Sequence, residues 1–233
     1  MDVQVRWCRL DQVTAYDDGL LSDGLLNDGL LSDGLLSDGE IGRLSSLRQQ
    51  ADRQRFVGVR LLLRAAVSEM ARCDPGDVAL RQRCGDCGGP HGRPIVSTAA
   101  QRGPAVSMAH SGALAIVALA PRPVGIDIEA LPDDGTTAPV TRGHDEIDLV
   151  TWVRQEAVLK MTGHGVRVDP RLVRVSGPET SPRLISWDGP GRTPALRMAD
   201  VETAPGYVAT VARRGRRHLR VDVRSMPILV PEL

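Results

Sequence analysis

Residues 152–160 read Trp-Val-Arg-Gln-Glu-Ala-Val-Leu-Lys, and upstream of them residues 124–129 read Val-Gly-Ile-Asp-Ile-Glu. The first stretch ends in Lys160, the only lysine among the 29 Lys and Arg residues of this 233-residue chain. Lysine is a compact charge on a flexible stem and arginine is a rigid planar fork, so the two do not replace each other at a crowded anion. A composition this skewed can leave one lysine on the surface by chance, but the carboxylates around Lys160 favour a functional role.

The stretch 152–160 lies in a predicted helix. Apolar residues recur at helical spacing from about Glu146 to Thr162, and Gly163 follows where a C-cap glycine belongs. Glu156 and Lys160 are four residues apart and therefore share one face of this helix. Taken alone, a pair of this spacing can be an ordinary surface ion pair worth only about 0.3–0.5 kcal/mol.

A strand is predicted near residues 124–128, and Asp127 and Glu129, two residues apart along it, project from the same face. Carboxylates, completed by water and phosphate oxygens, are ligands that Mg²⁺ accepts. The alternative is an edge strand whose polar face meets solvent. Combined with Glu156 and Lys160, however, the strand provides three carboxylates and a cation, which are common parts of a phosphoryl-transfer site.

The order of a helix followed by strands occurs twice along the chain. Alternating apolar residues predict a first strand at 3–7, and an apolar stripe predicts a long helix at 55–72. Further strands are predicted near residues 78–80, 95–96, 105–108, 114–119, 124–128, 172–175, 184–187, 195–198, 207–211 and 219–223, with a turn-rich loop at 133–143. The doubled order predicts an α+β fold with two halves joined near Pro121–Pro123.

A pentapeptide, Gly-Leu-Leu-Ser/Asn-Asp, occurs four times in the tract 19–39. Pentapeptide β-helices exist, but four coils without further repeats would make a poor solenoid. Duplication of a single copy explains the tract more simply. We expect the tract to be mobile and functionally silent.

The overall charge is balanced, with 29 basic and 29 acidic residues, so no global field attracts nucleic acid or a membrane. The apolar run 113–120 is too short to span a bilayer, and residues 1–6 lack a signal-peptide pattern. We therefore expect a cytoplasmic protein without structural disulfides. The arginine-rich composition with almost no lysine indicates a GC-rich bacterial source. The basic cluster at 213–217 is expected to be a solvated turn.

The two opening stretches together resemble the paired signature of the Sfp-type 4′-phosphopantetheinyl transferases. Gly92-Arg93-Pro94 is similar to the family's Gly-Lys/Arg-Pro, and residues 106–111, Val-Ser-Met-Ala-His-Ser, resemble its Phe-Asn-Xaa-Ser-His-Ser. Arg53-Gln54-Arg55-Phe56 resembles its early arginine region. The motifs occur in the family's order over roughly residues 37 to 212. Together with the GC-rich composition, the resemblance leads us to expect a bacterial and specifically an actinobacterial member.

The resemblance implies transfer of phosphopantetheine from coenzyme A to a serine of an apo acyl or peptidyl carrier protein. Such holo carriers serve polyketide, nonribosomal peptide or fatty acid synthesis, and adenosine 3′,5′-bisphosphate is released. The family architecture implies two pseudo-symmetric α+β halves, here 1–121 and 122–233, with the active site in the cleft between them. We expect a monomer whose partners are coenzyme A and the carrier, with no nucleic acid or membrane partner.

By the same resemblance, Asp127, Glu129 and Glu156 would hold Mg²⁺ on the pyrophosphate of coenzyme A. Lys160 and His110 would contact the pyrophosphate oxygens. Metal and cations would offset the charge that develops as the bond to the leaving group breaks.

Two arginines would bind the nucleotide part of coenzyme A. Arg55 would pair with the 3′-phosphate and Arg93 would lie near the nucleotide. Outside a motif, a lone histidine such as His110 is more often structural than catalytic. Arg60, on the same predicted helix as Arg55, is expected to be solvated.

Three departures from the family pattern lower the expected activity. Ala109 replaces a serine that could bond phosphate, and Gln155 replaces a lysine that would add a cation. The segment 130–151 is shorter than usual and lacks the region of a suspected general base. Acids that could substitute for this base are Asp145, Glu146 and Asp148. The rival interpretation is therefore a non-catalytic homologue that binds coenzyme A or the carrier but has lost turnover.

A second rival is a zinc-dependent interaction module. Cys84, Cys87 and His91 form C-x₂-C-x₃-H, with Cys73 eleven residues before Cys84. Zinc normally takes four ligands, so this is a half-site, and a glycine-rich turn between strands is the alternative. Cys8 is expected to be a buried strand residue.

Overall fold

The computed structural model describes residues 3–12, 35–82, 84, 88–89, 92–99, 102–132, 140–142 and 145–227. This part of the chain has the α+β fold that was predicted. Its α-helices are α1 (Asp38–Ser45), α2 (Gln50–Ala71) and α3 (Leu149–Thr162). Its strands are β1 (Val3–Arg9), β2 (Ala79–Gln82), β3 (Pro94–Ser97), β4 (Arg102–Ser111), β5 (Leu114–Ala120), β6 (Val124–Ala130), β7 (Val140–Arg142), β8 (Asp145–Ile147), β9 (Val173–Val175), β10 (Leu184–Trp187), β11 (Leu196–Asp200), β12 (Tyr207–Arg214) and β13 (Val221–Ser225).

The predicted helix around residues 152–160 is confirmed as α3, with both ends capped. The side chain of Asp148 accepts a hydrogen bond of 3.0 Å from the amide of Thr151. At the other end Gly163 has a φ of 84°, and its amide bonds the carbonyls of the last turn. A left-handed residue is easily supplied by glycine, which has no Cβ to clash.

The larger sheet has the strand order β13-β1-β5-β4-β3-β2. Within it, Val5 of β1 pairs antiparallel with Ala118 of β5 and parallel with Val223 of β13. The last described strand therefore joins a sheet built mainly from residues before 121. The boundary between the two predicted halves stays a prediction.

A smaller sheet of order β11-β12-β6 carries α3 on one face. Gly125 lies on β6 where α3 comes closest, and a Cβ there would overlap the carbonyl oxygen of Ala157 and the amide nitrogen of Met161. Only glycine allows the helix to pack this tightly on the strand. Asp127, two residues further along β6, is directed to the same face as Gly125.

The two sheets pack face to face and are covered by helices on their outer faces. Ile116 of β5 and Ile126 of β6 belong to one buried apolar cluster between the sheets. Val67 of α2 packs in a second cluster outside the larger sheet, and Leu159 of α3 packs in a third against the smaller one. Burial of these apolar faces is the main favourable contribution to folding.

The expectation that Arg60 is solvated is wrong. Its side chain is 8% exposed, its guanidinium lies 3.3 Å from the ring centroid of Phe56, and its Nε lies 3.3 Å from Oε1 of Glu40. Arg64 also pairs with Glu40, at 2.6 Å. Burial lowers the pKa of Arg60 to about 10, and the neighbouring Glu40 opposes that shift. A helical pattern marks residue faces but cannot show that two buried arginines share one carboxylate.

The repeat tract is described only at its end, because residues 19–34 lie outside the described residues. Within its last copy, Leu36 is 5% exposed and packs in the apolar cluster that contains Val67 of α2. Ser37 precedes α1, and its amide and hydroxyl both donate to Glu40 at 2.9 Å. The final copy is thus a structural entry into α1.

Three smaller predictions have different outcomes. Cys8 is buried on β1 as expected, and burial raises the pKa of its thiol to about 12. The basic cluster 213–217 is only partly a solvated turn, because β12 extends to Arg214 and Arg213 is 5% exposed. The predicted loop 133–143 contains β7, and its other residues lie outside the described part.

Candidate active site

The centre of the candidate site is an ion pair between α3 and β6. Lys160 Nζ donates a hydrogen bond of 2.6 Å to Asp127 Oδ1. Asp127 is 6% exposed, and its other oxygen, Oδ2, is buried without a hydrogen-bond partner. Burial raises the pKa of Asp127, Lys160 opposes that shift, and the charge of Glu129 adds to it.

Glu129 lies beside Asp127 on the same face of β6, as predicted, and is oriented by β4. Ser111 Oγ donates a hydrogen bond of 2.8 Å to Glu129 Oε2 and accepts one of 3.0 Å from the amide of Ala130. Four residues earlier, Ser107 Oγ accepts a hydrogen bond of 3.1 Å from the amide of Ile126. The hydroxyl groups of these two serines therefore join β4 to β6 through hydrogen bonds.

Sequence reasoning missed this role of the serines, although both lie in the quoted stretch 106–111. Their spacing of four on a strand, which places both on one face, was the available signal. Ala109 lies between them on that face and is buried in the cluster between the sheets. The expected loss of a phosphate hydrogen bond at Ala109 stays a prediction.

The expectation for Gln155 also needs correction. Its side chain is 7% exposed, and its amide donates a hydrogen bond of 2.9 Å to the carbonyl of Val173 on β9. Gln155 lies five residues before Lys160, on a different face of α3. A lysine at this position would be directed at the α3–β9 contact, so the glutamine does not remove a cation from beside Lys160.

Two of the three predicted carboxylate ligands, Asp127 and Glu129, lie together and suit a divalent cation. The unpartnered Oδ2 of Asp127 and the adjacent Glu129 form the kind of donor set that Mg²⁺ takes together with water and phosphate. Glu156 lies on α3, one turn before Lys160, and is partly exposed. Within the described ranges, no three His, Cys, Asp or Glu side chains are grouped as a metal site. Convergence of Glu156 on the other two carboxylates stays a prediction.

His110 lies on β4 and is surrounded by positive charge. Desolvation lowers its pKa, and so do the charges of Lys160, Arg55 and Arg60, with Asp52 acting in the opposite direction. The side chain is still exposed, so it lies at the surface of a crowded region and not in the core. Its neutral form is therefore favoured in a setting that attracts anions.

The two arginines that were predicted to bind the nucleotide, Arg55 and Arg93, have protein partners. Arg55 Nε donates a hydrogen bond of 3.1 Å to the carbonyl of Gly112, and its Nη1 pairs with Asp52 at 3.1 Å. Arg93 donates to the carbonyls of Lys160 and Met161 at the end of α3. Burial lowers the pKa of Arg93, as does the nearby Arg214.

A cavity of about 430 Å³ lies beside the ion pair. Of the seven predicted site residues, Lys160 and Arg93 line it. The other lining residues come from the β3 and β4 region and the turn after α3: Gln82, Cys84, Gly92, Pro94, Val106, Ser107, Met108, Gly163, His164, Gly165 and Arg167. The volume is within the usual range of small-molecule pockets.

The remaining predictions concern the substitute base and the zinc half-site. Asp148 caps α3 through its side chain, while Asp145 and Glu146 are described by their backbone only, on β8. Cys87 and His91 of the proposed zinc half-site lie outside the described residues. Cys84 is buried, and the zinc module stays a prediction. In the described ranges, the helices are too short or too polar to cross a membrane.

Comparison with known proteins supports the resemblance at a coarse level. A protein of Synechocystis sp. named "Putative 4′-phosphopantetheinyl transferase" is 26% identical over 145 residues. The match covers 54% of this chain and 56% of the relative, so the chain spans about half of that relative's length. No protein-family model matches the chain. The similarity supports the phosphopantetheinyl transferases as a class, while the Sfp type and an actinobacterial source stay predictions.

Proposed function

We propose that the protein is a Mg²⁺-dependent 4′-phosphopantetheinyl transferase of the holo-[acyl-carrier-protein] synthase type. The observation that carries the proposal is the ion pair of Lys160 with the buried Asp127, beside Glu129 and a cavity large enough for part of coenzyme A. A transferase of this class needs a charge-neutralising site next to a pocket. The named relative supports the same class.

The proposed reaction transfers a phosphoryl-linked group between two oxygens. The hydroxyl oxygen of the carrier serine forms a bond to the β-phosphorus of coenzyme A, and the bond from that phosphorus to the bridging oxygen breaks. Adenosine 3′,5′-bisphosphate leaves with the bridging oxygen, and the serine proton passes to a base. Of the nearby acids Asp145, Glu146 and Asp148 that could substitute for this base, Asp148 caps α3 through its side chain.

Asp127, Glu129 and Glu156 would hold the Mg²⁺, which would neutralise the pyrophosphate when bound. Lys160 would form an ion pair with a pyrophosphate oxygen in addition to its pair with Asp127, because its side chain is 27% exposed and lines the cavity. Ser111 would keep Glu129 in place through its hydrogen bond. Placement of fixed charges before the substrate arrives is what lowers the barrier in such sites.

His110, Arg55 and Arg93 would bind the phosphates of coenzyme A. The positive charges around His110 suit an anionic ligand. Arg55 would exchange the carbonyl of Gly112, and Arg93 the carbonyls at the end of α3, for phosphate oxygens, while Arg55 Nη1 keeps its ion pair with Asp52. A charge-assisted bond to phosphate is stronger than a bond to a neutral carbonyl, which favours this exchange.

The proposal includes the architecture and setting that the family implies. Two pseudo-symmetric halves, 1–121 and 122–233, would enclose coenzyme A, and the layered order of helix, sheet, sheet and helix is compatible with this arrangement. We place the protein in the cytoplasm as a monomer that modifies carriers of polyketide, nonribosomal peptide or fatty acid synthesis, including carriers of antibiotic biosynthesis.

The test is incubation with coenzyme A, Mg²⁺ and a panel of apo acyl and peptidyl carrier proteins, followed by mass spectrometry of the carriers. We expect a phosphopantetheine mass gain that EDTA abolishes. Asp127→Asn, Glu129→Gln and Lys160→Arg should each lower the rate, whereas Glu179→Gln, on an exposed turn, should not.

Calorimetric titration with coenzyme A separates the alternatives. Binding of coenzyme A or a carrier without any mass gain would support the non-catalytic homologue. Absence of both binding and transfer across the panel would contradict the two interpretations together.

A further inference from the structure

A second, smaller cavity of about 160 Å³ lies at the other end of the β6–β12 ladder. It is formed by the turn between β5 and β6 and by the end of β12 with the turn after it. Its lining residues are Pro121, Arg122, Arg213, Gly215, Arg216 and Arg217. It shares none of them with the 430 Å³ cavity, and the proposed function does not use it.

Arg213 forms the buried wall of this cavity. It is 5% exposed, and its Nη2 donates to the carbonyls of Arg217 at 2.8 Å and His218 at 3.4 Å. Its Nε is buried and has no hydrogen-bond partner. The turn thus holds a guanidinium in place while leaving one of its donors unsatisfied, which is costly unless a ligand supplies the acceptor.

The cavity concentrates positive charge without compensation. Arg122 Nη1 and Arg213 Nη1 each lie 3.8 Å from the position that a Cβ at Gly215 would take. The lining contains four arginines and no acidic residue. Across the described part of the chain, none of these four arginines forms an ion pair with a carboxylate. The chain as a whole has equal numbers of acidic and basic residues, so this local excess of arginine is not a consequence of its overall charge. The four guanidinium groups repel one another until an anion binds between them.

We propose that this cavity binds one tetrahedral oxyanion of the phosphate type, either inorganic phosphate or the phosphate group of a small monoester. Guanidinium forks match phosphate oxygens in a bidentate manner, and several can share one phosphate because it offers more acceptor oxygens than a carboxylate. The cavity is smaller than pockets that enclose a drug-sized molecule, so it suits a single group and not a nucleotide.

The test is calorimetric titration of the full chain with inorganic phosphate at low millimolar concentration, in EDTA and at constant ionic strength set with chloride. The wild type should bind. The double variant Arg216→Gln/Arg217→Gln, whose positions are exposed and do not threaten folding, should bind at least tenfold more weakly. Arg192→Gln, at an exposed position on another turn, is the matched control and should bind like the wild type.

Lys160→Ala distinguishes this cavity from the proposed active site and should leave phosphate binding intact. Loss of binding in Lys160→Ala with retention in the arginine double variant would overturn the proposal, as would no binding by the wild type. Equal affinity for acetate would overturn the phosphate class. Titration with glycerol phosphate identifies the source: binding comparable to that of phosphate supports a monoester, and binding of inorganic phosphate alone supports the free ion.

Discussion

Lys160 on α3 and Asp127 on β6 are joined by a 2.6 Å hydrogen bond although 33 residues separate them. The pair links the helix to the strand at the place where Gly125 already permits close packing. The side chain of Asp127 is 9% exposed, and that of Lys160 is 27% exposed. Removing one partner of a mostly buried pair leaves a poorly solvated charge, so the pair has consequences for stability as well as for any chemistry.

We expect Lys160→Met to lower the free energy of unfolding by about 2–3 kcal/mol at neutral pH without metal, because it leaves the Asp127 charge buried. The loss of about 0.5 kcal/mol that an exposed helical pair of Glu156 and Lys160 would give is too small for a buried partner such as Asp127. Asp127→Asn in the same chain should recover part of the loss. Urea unfolding in EDTA, carried through the double-mutant cycle, measures the coupling.

The control for this cycle is the exposed ion pair of Arg9 and Asp11, whose side chains are 41% and 56% exposed. Removal of its charge with Arg9→Gln should cost under about 1 kcal/mol. Equal losses at Arg9 and Lys160 would show that the Asp127 pair is solvated in solution.

Gly125→Ala should be strongly destabilising, by roughly 3 kcal/mol or more, since the new methyl group overlaps backbone atoms of α3. Backbone cannot rotate away as a side chain can, so the helix must shift from β6. Gly42→Ala on α1 is the matched control, because a Cβ there meets no atom within 4 Å and helical alanine is favoured. Thermal unfolding of both variants checks the contrast, and similar midpoints would refute close packing at Gly125.

The local part of the site could be predicted from the sequence, but its long-range pairings could not. Periodicity placed Asp127 and Glu129 on one face of a strand and Lys160 on a helix, because these faces depend only on residue spacing. The partner of Lys160 depends on how α3 lies on β6. No spacing rule contains that information.

The same reason explains the errors at Arg60 and Gln155. Each is polar and lies on a helix, so solvent or the active site was the natural expectation. Arg60 instead meets Glu40, and Gln155 meets the carbonyl of Val173. A polar residue can be buried whenever the fold brings it a partner, and that partner is far away in the sequence.

The pH dependence of stability should include a contribution from His110. Its pKa in the folded chain lies below the ordinary value of 6.5, first through desolvation and then through Lys160, Arg55 and Arg60, while Asp52 acts oppositely. The unfolded chain therefore binds more protons just below pH 6.5, so stability is lost as the pH falls through this window. His110→Gln should show a shallower loss.

Urea unfolding at a series of pH values between neutrality and mild acid measures this difference. His218→Gln is the control, because that histidine is exposed and lies after β12, outside the group of charges around His110. If the wild type and His110→Gln have parallel pH profiles, His110 titrates alike in the folded and unfolded chains.

Deletion of Gly24–Asp38 should be tolerated with a change of only about 1 kcal/mol, because shortening a long connection alters closure entropy little. The deletion removes three repeats and joins Asp23 to Gly39, so Ser22 takes the place of Ser37 three residues before Glu40. Leucines of the remaining copy replace those that pack at the entry to α1.

A deletion out of phase provides the control for this experiment. Removing Gly24–Gly39 places Ser22 only two residues before Glu40, which breaks the contact seen between Ser37 and Glu40 and should cost about 1 kcal/mol more. Leu36→Ala in the full chain should cost about 2–4 kcal/mol because that side chain is buried. Urea unfolding ranks the three variants. If the in-phase deletion unfolds as easily as the out-of-phase one, the repeats contribute more than a single entry into α1. If the in-phase variant has normal stability but does not modify any carrier, the tract is a docking element.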